Sequence, residues 1–142
     1  MRLQSAIFSI EDTLVGHEDV GKVLSILKME GVWMYAVTDM ARSDAEQTLR
    51  EAGLSDHFRG ILTAREANCA ASEGKMFEKA MRRLRSTLRD TIVFAGRLDA
   101  LRNARAAGFR AAAVKGGADA DEWAAMCAEA DEVVERYEDY LA

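Results

Sequence analysis

Short apolar runs that do not alternate with polar residues, each followed by an amphipathic stretch, constrain this chain most. Ala6–Phe8, Val32–Val37, Ile61–Leu62, Thr91–Phe94 and Arg110–Val114 are such runs, and Val133–Val134 adds a sixth, very short one. Between them apolar residues fall at helical spacing. Val20, Val23, Leu24 and Leu27 lie in Asp19–Glu30, which Gly31 stops. Ser43 and Glu46 form a capping-box pattern opening a helix that carries Leu49 and Ala52 and ends at Gly53. Phe77, Ala80, Met81, Leu84 and Leu88 share one face of a third helix. A fourth runs from Leu98 or Asp99 to Ala107, stopped by Gly108, and a fifth spans Asp121–Glu129. Strands apolar on both sides need cover on both sides, and alternation with helices supplies it through right-handed crossovers. The pattern therefore predicts an α/β fold: a doubly wound, mostly parallel sheet in a three-layer α/β/α sandwich.

Length and charge narrow the function classes. A chain of 142 residues suits one domain with a single full core, so one core domain over residues 1–142 is expected. A net charge of -5 and a pI near 5.1 argue against a broad nucleic-acid footprint. No apolar run approaches the roughly 20 residues that span a bilayer, and no charged-then-apolar leader opens the chain. The expectation is a cytoplasmic protein with neither nucleic acid nor membrane as partner. Cys69 and Cys127 lack CxxC spacing, which points to reduced, buried thiols rather than a zinc site or a disulfide framework.

In a doubly wound sheet ligands sit beyond the carboxyl ends of the strands. The positions to inspect are Ser9, Glu11, Thr38, Arg65, Gly96 and Lys115. Four segments at those places carry a resemblance. They are "FSIEDTL" (8–14), "YAVTDMAR" with Thr38, "GKMFEKAM" with Lys75, and "VFAGRLDALRNARAAGFRAAAV" from Val93. In this order they resemble the haloacid dehalogenase-like (HAD) hydrolase superfamily, mostly magnesium-dependent phosphatases on a Rossmann-like core. The resemblance runs from about residue 3 to the C-terminus. It implies an open site without an inserted cap, since the stretch between Thr13 and Thr38 has room for no more than a small flap.

The resemblance also assigns roles. The family's first motif, D-x-D-G-T-L, places its aspartyl nucleophile at Ser9 and its acid/base Asp at Glu11, with Asp12 where the motif has Gly. The fourth motif's metal-binding Asp falls on Gly96. A serine hydroxyl is a poor nucleophile without a base beside it, and neither His17 nor His57 is placed to serve. Magnesium prefers oxygen ligands including one or two carboxylates, so a hydroxyl and a bare glycine weaken its site severely. Thr38, Lys75 and Arg97, with the N–H groups near Leu98 and Asp99, retain the means to hold an anion.

The expectation is thus a HAD-like domain, inactive as a phosphatase, acting as a binding, regulatory or partner module with residual phosphate or anion binding. It would need no cofactor, and its partner would be another protein or a small anionic ligand. The alternative is an active hydrolase with a rebuilt site in which Glu11 and Asp99 hold Mg²⁺. Blander roles stand beside these. Ser9 and Glu11 could be structural, Lys75 could pair with Glu11, and Asp39, Arg42 and Asp99 could be loop or capping residues. His17 and His57 are read as surface residues, "KGG" (115–117) as a turn, and "RRLRSTLR" (82–89) as a solvated face with Leu84 and Leu88 inward. Trp33 is read as core, and Trp123 and Met126 as core with an interface role as the alternative.

Overall fold

A computed structural model describes residues 4–141. The strands β1 (Ser5–Ser9), β2 (Trp33–Thr38), β3 (Ile61–Thr63), β4 (Thr91–Ala95), β5 (Arg110–Val114) and β6 (Glu132–Val134) form one sheet. Every pairing is parallel, in the order β3-β2-β1-β4-β5-β6. The chain winds outward from β1 in both directions, so the topological switch point lies between β1 and β4.

The helices are α1 (Val20–Met29), α2 (Arg42–Glu51), the short α3 (Ala64–Ala67), α4 (Gly74–Arg83), α5 (Leu98–Ala106) and α6 (Ala120–Glu129). Burial divides them between two layers. Phe8, Met34 and Phe94 face Val23 and Leu24 of α1 and Leu49 of α2. Ile7, Val37 and Val93 face Met76 and Phe77 of α4, Leu101 of α5 and Met126 of α6. Adjacent strand residues such as Ile7 and Phe8 are both fully buried, which accounts for the continuous apolar runs. No described helix is long and apolar enough to cross a membrane.

Local chemistry moves some boundaries. Helix α2 begins at Arg42 after Ala41 with no side-chain cap, so Ser43 caps nothing. The preceding loop is held instead by Thr38 Oγ1, which accepts from Met40 N at 3.0 Å, and Glu46 faces Arg42 one turn back. The capping box in this fold is at Thr63 and Glu66, opening α3. Helix α4 stops early because Arg85 adopts a left-handed conformation (φ 54°), and Ser86 N closes back onto Met81 O at 3.1 Å. Leu88 therefore leaves the helix face and is 39% exposed. Trp33, at the very start of β2, is 51% exposed rather than core, while Met126 is fully buried and Trp123 half-buried. Both cysteines are free and half-buried.

Candidate functional site

Strand β1 ends at the switch point, and the chain turns at once through a single π-helical turn, Ile10–Leu14. Its apolar residues Ile10 and Leu14 are buried, anchoring the turn in the core. Thr13 Oγ1 donates back to Ser9 O at 2.6 Å, and Tyr137 OH, from the 3₁₀ turn Tyr137–Leu141, donates to Thr13 O at 2.7 Å. His17 Nε2 lies 3.1 Å from Asp12 O, and the His17 ring stands edge-on to Tyr137 at 5.5 Å. His17 is thus a brace of the turn rather than a free surface residue.

The turn directs its two acidic side chains oppositely. Glu11 reaches the end of β2, where Thr38 Oγ1 donates to Oε1 at 2.8 Å and Asp39 N donates to Oε2 at 2.9 Å. Thr38 is fully buried, and its hydroxyl also accepts from Met40 N, so its one donor is committed to Glu11. Asp39 Oδ1 in turn accepts from Ala71 N at 2.9 Å. Asp12 lies against the end of β4. A Cβ added at Gly96 would stand 2.6 Å from Asp12 Cβ and 2.7 Å from Asp12 O. The space a side chain at position 96 would need is occupied by Asp12. Burial pushes the Asp12 carboxyl above its ordinary 3.8, Glu11 adds to the rise, and Arg97 partly offsets it. Asp99 and Asp39 raise it further, so the mouth of the cleft is acidic. Ser9 Oγ is buried with no hydrogen-bond partner among the described residues.

On the β4 side the donors are also engaged. Arg97 Nε donates to Glu122 Oε2 at 2.9 Å, and Leu98 N, at the start of α5, donates to the same oxygen at 2.9 Å. The Arg97 hydrogen bond, followed by that from Leu98 N, holds the Glu122 carboxyl below its usual range. Asp99 Oδ1 accepts from Ala100 N at 2.7 Å, turned onto its own helix. Lys75, at the start of α4, is exposed and forms no ion pair with a described carboxylate. Arg65 sits exposed on α3, and Lys115 pairs with Glu135 at 3.5 Å across the adjoining strands β5 and β6. The structure thus gathers Ser9, Glu11, Thr38, Gly96 and Arg97 around one cleft. Glu122 and Tyr137 belong there too; Tyr137 lies in the closing segment, "ADEVVERYEDYLA" (130–142), that shares the resemblance, and Glu122 lies in none of the segments that carried it. Glu122 is positioned by its own capping residue, Asp119 Oδ1, which accepts from Glu122 N.

The family model for haloacid dehalogenase-like hydrolases matches residues 3–108. The chain belongs to the haloacid dehalogenase-like hydrolase family. No curated protein matches it. Among solved structures it is similar to a predicted phosphoglycolate phosphatase from Haemophilus somnus 129pt, with a TM-score of 0.77 and 16% identity over 88% of this chain and 55% of that one. A HAD-superfamily hydrolase from Geobacter sulfurreducens PCA gives a TM-score of 0.69 and 18% identity over 88% of this chain and 54% of that one. The core domain of a Streptococcus pneumoniae TIGR4 protein assigned as a phosphoglycolate phosphatase gives 0.73 and 15% identity, covering 99% of this chain and 94% of that domain. The chain spans little more than half the length of the first two.

The resemblance in sequence would set Ser9 and Glu11 at the family's first-motif aspartates and Gly96 at its fourth-motif Asp. These positions offer magnesium few of the oxygen ligands it prefers. Ser9 offers a neutral, enclosed hydroxyl, Gly96 offers nothing, and Glu11 has both oxygens engaged with β2. Among the described residues no three His, Cys, Asp or Glu side chains converge to hold a metal ion.

Proposed function

We propose that this HAD-like domain does not run phosphoryl transfer and works as a binding, regulatory or partner module. One observation carries the reading: Asp12 and the backbone of its turn fill the space where the family's metal-binding side chain would project from position 96. The exchange of Gly for Asp at 12 and of Asp for Gly at 96 is sterically coupled, so the change is built into the turn rather than being one lost group. Phosphate-monoester hydrolysis demands accelerations up to roughly 10²¹-fold. A buried hydroxyl with no base beside it, in a site short of carboxylates to hold a dication, cannot supply them.

The anion-holding residues support the same view. A phosphate at Thr38, Lys75 and Arg97 would have to take Thr38 from Glu11, and Arg97 with the Leu98 N–H from Glu122, in a mouth already lined by carboxylates. The chain's own acidic side chains thus act as resident anions. The decisive assay is turnover of p-nitrophenyl phosphate with Mg²⁺, run on the chain and on Glu11→Ala. We expect no release above buffer in either. Turnover abolished by Glu11→Ala would overturn the proposal and favour the rebuilt hydrolase.

A further inference from the structure

The opposite end of the sheet, where the strands begin, carries a surface that the cleft does not explain. Ser5 of β1 stands in register with Trp33 of β2 and Thr91 of β4, so these three strands start on one level. Helix α4 descends to that level. Arg83, at its last turn, donates to Tyr35 OH at 3.1 Å, two residues along β2 from Trp33. The connection into β4 then exposes Arg85, Leu88 and Arg89.

Ion pairing is uneven along the chain. Every basic residue after β4 (Arg97, Arg102, Arg105, Arg110, Lys115 and Arg136) forms an ion pair. From Arg50 to Arg89 none pairs with a described carboxylate, although the chain as a whole is acidic; of these, Arg65 and Lys75 lie at the other end, while Arg59, Arg85 and Arg89 lie at the strand-start end. At the same end lie exposed apolar side chains: Met29 at 88%, Trp33 at 51% and Leu88 at 39%. The Arg59 guanidinium stacks on the Trp33 ring, 4.3 Å from its centroid. Lys28, Trp33 and Arg59 rim a recess of about 340 Å³ floored by Val32, Met34 and Phe58.

Exposed Trp, Met and Arg are the residue types that concentrate binding energy at protein interfaces. Here Trp33 and Arg59 rim an apolar recess whose two cations, Lys28 and Arg59, form no ion pair with a described carboxylate, although Asp56 also lines it and its backbone carbonyl accepts from Lys28. We infer that this strand-start surface docks an acidic protein segment that seats an apolar side chain in the recess while its carboxylates meet Arg59, Arg85 and Arg89. The inference rests on the module reading and names the partner's chemistry. A nucleic acid suits the surface less well, because the exposed Trp33 ring is already covered by Arg59 and the molecule's net charge repels a long polyanion. A membrane suits it less well because its deepest apolar residues line a recess instead of a protruding helix face.

Trp33 supplies the readout. In a Trp123→Phe background it is the sole tryptophan. The probe is a short synthetic peptide of glutamates around one central phenylalanine. We expect a saturable change in Trp33 emission that weakens with added salt. Arg59→Glu, and separately the pair Arg85→Glu and Arg89→Glu, should each raise the dissociation constant about tenfold or more, with circular dichroism unchanged. Four results would overturn the inference. They are no saturable change, equal binding of the peptide with glycine for phenylalanine, tighter binding of duplex DNA or phosphatidylserine vesicles, or self-association at Trp33 in sedimentation. The p-nitrophenyl phosphate assay on the same samples separates the two claims. Turnover with peptide binding sinks the silent-domain reading and leaves docking standing, whereas absence of both sinks docking alone.

Discussion

Two residues, Asp12 and Gly96, define the cleft by excluding one another's alternatives. The contact distance of 2.6 Å between Asp12 Cβ and a Cβ at position 96 is shorter than real side chains tolerate. Gly96→Ala should therefore destabilise the fold by about 1–3 kcal/mol in urea titration, the usual range for overpacking. Asp12→Gly in the same chain should restore part of that loss. Full rescue is not expected, because Asp12 O, a backbone atom, also crowds the site at 2.7 Å. Asp12 has a second signature. Its carboxyl is raised above 3.8 chiefly by burial, so the charged form is disfavoured in the folded state. The sign follows from linkage: the penalty is absent below the unfolded value and grows as pH rises from 3.8 through the raised folded value. Asp12→Asn should thus stabilise the protein at neutral pH, with the gain vanishing in acid. A constant gain across that window would show that charge is not the cause.

At the scale of elements, the strands and most helices were legible because burial on two faces writes itself directly into composition. Gly31 and Gly108 marked helix ends correctly, since each takes the positive φ that a C-terminal cap needs. The failures were equally physical. Arg85 plays that same capping part without being glycine, so the end of α4 and the exposure of Leu88 were hidden. The capping box sat at Thr63 and Glu66 instead of Ser43 and Glu46, because both pairs share one spacing and the tertiary loop decides between them. Glu66 also accepts from Arg42 Nε and Nη2 at 2.7 Å each, tying α3 to α2. That bond, with help from the Thr63 cap, lowers the Glu66 carboxyl from 4.5 to about 2. A depressed carboxylate stabilises above its unfolded value and loses that contribution as pH falls from 4.5 through about 2. Both side chains are more than a third exposed, so solvent screening limits the effect to about 1 kcal/mol. Glu66→Gln should cost that much at pH 7 in thermal or urea unfolding, and nothing below pH 2. A cost that persists in strong acid would assign it to packing instead.

The whole molecule sets its motif residues at the switch point and its exposed Trp33 surface at the opposite end. The strand order places the ends of β1 and β4 side by side, which is why motifs far apart in sequence meet in one cleft. That much was legible from motif order. The closure of the cleft was not, because it depends on partners supplied from elsewhere. Glu122 arrives from α6 and Tyr137 from beyond β6, and neither carries a local pattern that announces a role at β1. Trp33 misled for a related reason: an aromatic residue in an apolar run reads as core, yet it opens its strand and sits at the rim.

Isothermal titration of the chain with millimolar Mg²⁺ tests the central claim most directly. The protein should give no saturable heat, because position 96 has no carboxylate, Ser9 is enclosed and Glu11 is held by β2. Saturable binding of one Mg²⁺ per chain, abolished by Glu11→Ala, would contradict the account.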